Sequence, residues 1–503
     1  MSIDWNAIDA LGIKRLVNDS RAVRAGDTFV AYPGETRDGR DYIGQAIANG
    51  AANVLWEAGG FRWRRTWRVP NFGVKNLRRH AGEIASRIYG QPSRRLWMIG
   101  VTGTNGKTTC SQWVAQALTR TGRHCAVIGT LGYGLRAPLR SVLNTTPDAL
   151  WLHARLAEFA RRGAQAVAME VSSIGLAQDR LAGVEFDVAL FTNLTRDHLD
   201  YHGTMRRYRE AKAQLFAWAS LKHAVVNLDD EFGRELARRI RRPGLKVVGY
   251  GFGGAGGTRT SRVIGSDLVT GPRGVSFAVR TPWGSARLAS RVLGRHNASN
   301  LLAALAVLLA SGVPLRKAVG ALAHLGSVPG RMERLGGGAK PLVVVDYAHT
   351  PDALQQVLLT LREVIAHESR VHASSTPLRG TNHQSRLTCV FGCGGERDRG
   401  KRPQMGRIAA RLADRVIVTS DNPRGENPQR IIDDILEGLR GVEDELAIIP
   451  DRGSAVQYAV ASAQRGDVVL LAGKGHEDYQ LIRGVKHPFS DATEALRALA
   501  GSR

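Results

Sequence analysis

The sequence predicts an α/β protein of three domains, on two observations. Its 503 residues supply chain for roughly three units of ~150 residues. Short β-rich runs bounded by Gly, Asp and Pro alternate with helix-period segments over most of that length, the pattern of parallel α/β units. A composition of 43% apolar and 23% charged residues excludes a disordered chain, a coiled coil and a collagen-like fibre.

Residues 1–90 form the expected first unit, where the segment from Ala25 to Glu57 reads strand, turn, helix, strand. Near Gln91-Pro92-Ser93 a second unit, 91–326, opens on the apolar strand LWMIGVTG. It continues through AVAMEVSS, DVALFTNL and HAVVNLDD, each followed by helical sequence. A Gly-rich stretch from Gly249 to Gly257 breaks this rhythm and precedes a β-rich part that ends in the helix NASNLLAALAVLLASG. The third unit, 327–503, starts near Ser327-Val328-Pro329-Gly330, with strands PLVVVDYA, RLTCVFGC, ADRVIVTSD and GDVVLLAGKG. Within it, residues 366–387 hold a polar, unpatterned stretch, His367 to Arg386, which reads as an exposed insertion.

Charge adds a constraint on partners. Fifty-nine Arg and 11 Lys against 45 Asp+Glu leave a net charge of +25, which points to nucleic acid or to a polyanionic small substrate. The basic residues fall in scattered pairs such as Arg161-Arg162 and Arg238-Arg239, without zinc-finger spacing or an aromatic RNA-binding signature, and this weakens the nucleic-acid reading. The first residues show no secretory signal pattern, and the most apolar run, Leu301 to Ala310, is about half of what a bilayer crossing needs. The expectation is a cytoplasmic protein with no membrane span, and nothing forces an assembly beyond a monomer. Cys110, Cys125, Cys389 and Cys393 are too few and too unevenly spaced for a disulfide framework or a zinc site, so reduced, mostly buried thiols are expected.

The strongest chemical signal is Gly103-Thr104-Asn105-Gly106-Lys107-Thr108-Thr109, set between an apolar strand and the helix SQWVAQALTR. A glycine-rich turn there surrounds phosphate oxygens with backbone N–H groups at a helix N-terminus, while Lys107 neutralises charge and Thr108 can ligate Mg²⁺. It is a variant of the usual phosphate loop, with Val101 where that motif has its first Gly and Gly103 as an extra turn residue. Glu170, in Met169-Glu170-Val171-Ser172-Ser173, and His198, in Thr192 to Asp200, stand at the carboxyl ends of later strands, where parallel sheets bind ligands. A carboxylate and an imidazole so placed can share a second Mg²⁺ between phosphate and substrate.

These segments, with NTTPD (144–148), YREAKAQLF (208–216), GRHNASN (294–300), PGRME (329–333) and DYAHTPDAL (346–354), resemble the Mur ligase family over nearly the whole chain. The resemblance implies a central P-loop-type domain built on a mostly parallel sheet, a C-terminal Rossmann-like domain, and an ATP-dependent ligase acting on UDP-N-acetylmuramoyl precursors of the cell wall. GCGGERDRGKRP (392–403), SDNPRGE (420–426) and AGKGHEDYQ (472–480) look like the member that adds the third peptide residue, in its meso-diaminopimelate version. Arg397 and Arg424 suit a carboxylate clamp and Asp421, Asn422 and Glu477 suit ammonium groups, and the resemblance places Pro423 and Gly473 at diaminopimelate as well.

By the same resemblance, Gly103 to Thr109, Asn297, Arg331, Asp346 and His349 would meet ATP, and Lys107, Glu170, His198 and Lys212 would carry catalysis. Thr108, Glu170, His198 and Lys212, the last as an N6-carboxylysine, would hold Mg²⁺. Ser20, Asn144, Thr145, Thr146, Ser172, Gln178 and Arg180 would meet the UDP-MurNAc-dipeptide. One residue departs from the pattern: Ile174 stands where relatives usually carry His after the two serines. Competing readings are a folylpolyglutamate synthase of the same superfamily, a basic P-loop ATPase acting on nucleic acid, and an inactive relative.

Overall fold

A computed structural model describes residues 3–253, 261–374, 385–441 and 445–501. Among them lie three main sheets and a hairpin. The first sheet is β1 (Leu16–Val17), β2 (Thr28–Ala31), β3 (Asn53–Glu57) and β4 (Asn71–Val74), parallel and paired in chain order.

The second comprises β5 (Trp97–Thr102), β6 (Cys125–Gly129), β7 (Gly132–Gly134), β8 (Ala166–Glu170), β9 (Val188–Phe191), β10 (His223–Asn227), β11 (Lys246–Gly251), β12 (Ser261–Gly271), β13 (Gly274–Thr281) and β14 (Gly284–Ser290). Its order is β14-β13-β12-β11-β10-β9-β5-β8-β6-β7, parallel from β12 to β6 with antiparallel pairs at both margins. The central strands β5, β6, β8, β9 and β10 are buried on both faces, as parallel strands under crossover helices are. On one face the helix Arg295–Ala310 is buried along its whole apolar run from Leu301, which accounts for a sequence too uniform in hydropathy to show an outer side. Among the described residues no helix is long and apolar enough to cross a membrane.

The third sheet comprises β15 (Glu333–Gly336), β16 (Leu342–Asp346), β17 (Leu387–Phe391), β18 (Arg415–Val418), β19 (Leu446–Ile448) and β20 (Val468–Ala472), ordered β15-β16-β20-β17-β18-β19 and parallel except at β15. A hairpin of β21 (Tyr479–Ile482) and β22 (Val485–Pro488) follows. Beneath β20, Arg452 and Asp491 form a fully buried bidentate pair with both N···O distances at 2.7 Å, and Arg452 also donates to Ala472 O. All four cysteines are free and buried.

One expectation is corrected. The stretch from His367 does not begin as an irregular loop: the helix Pro351–Ser374 runs on through it before the described chain stops. Residues such as Glu368 and Arg370 carry adequate helix propensity without an apolar periodicity in the sequence to announce a helix. The rest of the proposed insertion, 375–384, lies outside the described residues.

Candidate active site

The phosphate-loop turn leaves β5 and enters the helix Lys107–Arg120 at Gly106, whose φ of 84° belongs to glycine. A Cβ at Gly103 would collide with Thr192 Oγ1, so the turn needs glycine there as well. No side chain caps this helix, and its first N–H groups face a cavity of about 540 Å³. Lys107 Nζ donates to Gly103 O (2.9 Å) and Thr104 O (2.8 Å). Burial, together with Arg331, pushes its pKa down.

Glu170 ends β8 and is 1% exposed. It accepts hydrogen bonds from Thr108 Oγ1 (3.1 Å), Thr130 N (2.7 Å) and Thr130 Oγ1 (3.1 Å), and has no ion-pair partner among the described residues. A buried carboxylate with hydroxyls around it and no cation fits an oxygen-seeking Mg²⁺. No group of three or more His, Cys, Asp and Glu side chains suited to a metal occurs among the described residues, so any site here is built from mixed donors.

Arg331 Nη2 donates to Thr108 Oγ1 (3.1 Å) while its guanidinium lies 4.1 Å from the Tyr347 ring centroid, bringing the third sheet's cation onto the loop. Asp346 accepts from Met332 N (2.7 Å), and burial raises its pKa. Asn297 donates to Leu293 O (2.9 Å). Burial lowers the His349 imidazole to about 4.

Around Asp197, burial works to raise the carboxyl pKa, but His198, His349, Lys401 and Lys107 outweigh it and hold Asp197 well below the usual range. His198 Nε2 is 3.4 Å from Asp197 Oδ2, and burial brings its own pKa to about 4. Lys212, on the helix Met205–Ala213, is 1% exposed. Its Nζ donates to Gly103 O (2.7 Å), and burial with the neighbouring Lys107 charge drives its pKa well below the lysine range.

Asn144, Thr145, Thr146, Ser172 and Arg180 line the same cavity, as does Ile174. Thr146 Oγ1 donates to Glu170 O and accepts from Ser172 N, while Ser172 Oγ caps Gly175 N. Gln178 does not line it. Its Oε1 accepts from Arg180 Nε (2.9 Å) and Nη2 (2.6 Å) and so aims the guanidinium. Ser20 is also apart: it is buried in the first unit and its hydroxyl donates to Gln45 Oε1 (2.7 Å).

The residues expected to meet diaminopimelate gather in the segments after β17, β18 and β20. Arg424 has a φ of 54°, and the hairpin clamps it there: Arg424 N donates to Leu481 O and Arg483 N to Arg424 O. A Cβ at Gly395 would strike Pro423 O, and one at Gly394 would reach Arg424 Nη1, so both glycines let the two loops close. Arg402, fully buried, ties the same loops by pairing with Glu426 and Asp434. Asn422 Nδ2 donates to Glu477 Oε2 (2.7 Å) and Gln480 Nε2 to Asp421 O (3.0 Å). Burial and then Arg397 depress the Arg424 pKa, and both arginine side chains come within 4 Å of where a Cβ on Gly394 would sit. Arg397 also lines the phosphate-loop cavity and joins the two regions. Arg397 Nη1 lies 3.5 Å from Asp200 Oδ2, while Arg196 is bidentate to Asp398 at 2.9 and 3.2 Å.

Sequence reasoning passed over Thr130, Asp197, Tyr347, Lys401 and Lys474. Asp197, Tyr347, Lys401 and Lys474 sit inside the motifs that carry the resemblance, but nothing local marks Thr130, which reaches Glu170 across β6 and β8.

Three family models match the chain: the Mur ligase family catalytic domain over residues 12–89, the Mur ligase middle domain over 101–308 and the Mur ligase glutamate ligase domain over 365–475. A UDP-N-acetylmuramoyl-L-alanyl-D-glutamate–2,6-diaminopimelate ligase of Nitrosomonas europaea is 49% identical over 97% of this chain and 94% of its own. Its namesake from Pseudomonas aeruginosa is 51% identical over 97% and 95%. A solved structure of a ligase with this name is 38% identical and covers 97% of this chain and 95% of its own, with a TM-score of 0.66. MurF from Acinetobacter baumannii, 22% identical with a TM-score of 0.65 over 92% and 90%, shares the fold.

Proposed function

This chain belongs to the Mur ligase family, and we propose that it is the ATP-dependent ligase that joins meso-diaminopimelate to UDP-N-acetylmuramoyl-L-alanyl-D-glutamate in the cytoplasm. The observation that carries this reading is the C-terminal cluster, in which Arg397 and Arg424 both lie beside Gly394 and share the loop region of Asp421, Asn422 and Glu477. Diaminopimelate ends in a carboxylate and an ammonium, whereas lysine ends in an ammonium alone. A lysine-selective pocket would leave the half-buried Arg424 without an anion, at a cost. The three units, 1–90, 91–326 and 327–503, are assigned to the UDP moiety, ATP and the incoming amino acid.

In the reaction the D-glutamate carboxylate attacks the γ-phosphorus of ATP, giving an acyl phosphate and ADP. The amine of diaminopimelate then attacks that carbonyl and expels phosphate, leaving the amide. Charge neutralisation is the protein's main task. Lys107 and Arg331 face the β- and γ-phosphates, Asn297, Asp346 and His349 the nucleotide, and Arg180, aimed by Gln178, an anionic group of the precursor. Thr108, Glu170, His198 and Lys212 as its carbamate would hold Mg²⁺, which would supply Lewis-acid screening of the phosphate oxygens when bound. Lys212 suits carbamylation: burial and the Lys107 charge disfavour its ammonium and so favour the free amine that reacts with CO₂, and the product places a negative charge beside the loop.

Phosphate release from purified protein with ATP, Mg²⁺ and the UDP-muramoyl dipeptide tests the reading. Release is expected with meso-diaminopimelate and much less with L-lysine, and nucleic acid should change nothing. Equal rates with both amino acids would refute the selectivity, and no release with either would favour an inactive relative.

A further inference from the structure

Lys474 follows Gly473 at the end of β20 and has a side-chain exposure of 0%. Its place is unexpected, because a cation inside a pocket that receives an ammonium competes with the ligand. Its Nζ lies 3.1 Å from Glu477 Oε2, 3.2 Å from Asn422 Oδ1 and 3.5 Å from Asp421 Oδ1. These are the three side chains assigned above to the substrate's ammonium groups. Asn422 Oδ1 also accepts from Leu481 N, so the lysine and the hairpin together fix that amide's orientation. Asp421 Oδ1 is buried with no hydrogen-bond partner, so Lys474 balances its charge and leaves the oxygen open to a further donor.

Charge arithmetic gives this a purpose. Asp421 and Glu477 against Lys474 leave one unit of negative charge, the complement of one ammonium. On the facing side Arg397 and Arg424, with Asp200 at 3.5 Å from Arg397, leave one unit of positive charge, the complement of one carboxylate. The pocket is thereby matched to a zwitterionic end. Without Lys474 the acceptor side would hold one buried and one half-buried carboxylate, which repel a substrate carboxylate and favour a purely cationic end.

We propose that Lys474 is a positioning and specificity-determining residue, which trims the acceptor half of the pocket to one net negative charge and holds Asn422 and Glu477 where they receive an ammonium beside the carboxylate at Arg424. The proposal rests on the reading of this cluster as the diaminopimelate site.

The test uses the full chain with Lys474→Met, which keeps length and removes charge, and Lys474→Gln, which keeps hydrogen bonding and removes charge. KM is measured separately for diaminopimelate, ATP and the UDP-muramoyl dipeptide. Both variants should raise the diaminopimelate KM about tenfold or more, leave the ATP KM unchanged, and lower the kcat/KM preference for diaminopimelate over L-lysine. Should the methionine variant fail to fold, the glutamine variant alone decides. A diaminopimelate KM and preference that stay at wild-type values, or three KM values that move together with a fallen Tm, would overturn the proposal in favour of a structural lysine. Failure of the wild type itself to release phosphate with diaminopimelate would instead overturn the parent reading.

Discussion

Asp491→Ala should destabilise the C-terminal unit severely. Arg452 and Asp491 are both 0% exposed and joined by two contacts of 2.7 Å, and Arg452 Nη1 has no partner even in the intact protein. Removing the carboxylate leaves a buried guanidinium held only by its bond to Ala472 O, at 2.9 Å. Breaking one side of such a pair costs about 3–5 kcal/mol. In a unit of this size each kcal/mol moves the midpoint by roughly 2–4 °C, so its thermal transition should fall by roughly 6–20 °C. Calorimetry or urea denaturation followed by circular dichroism reads the change. The double variant Arg452→Met/Asp491→Leu removes both charges and should recover most of the loss. A single variant that loses less than about 1 kcal/mol, or a double variant as unstable as the single, would show that desolvation of the guanidinium is not the governing cost.

Other expectations follow from the same physics. Burial holds His153 at about 4, against an ordinary imidazole value near 6.5, so the unfolded chain takes up its proton first. Its contribution to stability is therefore complete above about pH 6.5 and lost as pH falls toward about 4; His153→Leu should flatten the drop in urea midpoint between about pH 7 and about pH 5, and an unaltered slope would refute the assignment. Lys212→Ala should abolish ligation and be partly rescued by short carboxylic acids that fit its cavity; absence of rescue would argue against a carbamate. Ile174→His, at a cavity-lining position, should leave turnover the same or better. A large loss would show that the pocket has been rebuilt around the apolar side chain.

The legible parts of the fold and site were those whose physics is local. Gly103 and Gly106 are adjacent to the strand and helix they join, so turn, phosphate contact and helix start are written in seven consecutive residues. Glu170 could be placed at a strand end because AVAME is uniformly apolar up to it. What escaped depends on pairing across sequence distance: Thr130 reaches Glu170 only because β6 lies beside β8, and Lys474 matters only because β20 brings it against the loop after β18. Ser20 shows the converse, a polar turn residue whose partner, Gln45, no local pattern announces. The helix through His367 to Ser374 was hidden because a helix without an apolar stripe has no periodicity to detect.

The crossed ion pairs between the loop carrying Arg196 and Asp200 and the loop carrying Arg397 and Asp398 have a consequence for turnover. Within these two pairs each segment offers one charge of each sign, so sliding one past the other sets the paired residues' like charges face to face. Yet Arg196 and Arg397 are 46% and 49% exposed, and such pairs are worth at most about 1 kcal/mol each. The tie is therefore selective without being strong. It can align the amino-acid loop with the phosphate-loop region on each cycle, and thermal agitation can undo it in time for ADP, phosphate and a bulky, highly charged product to depart. Added salt should loosen it further, speeding release while blurring the alignment.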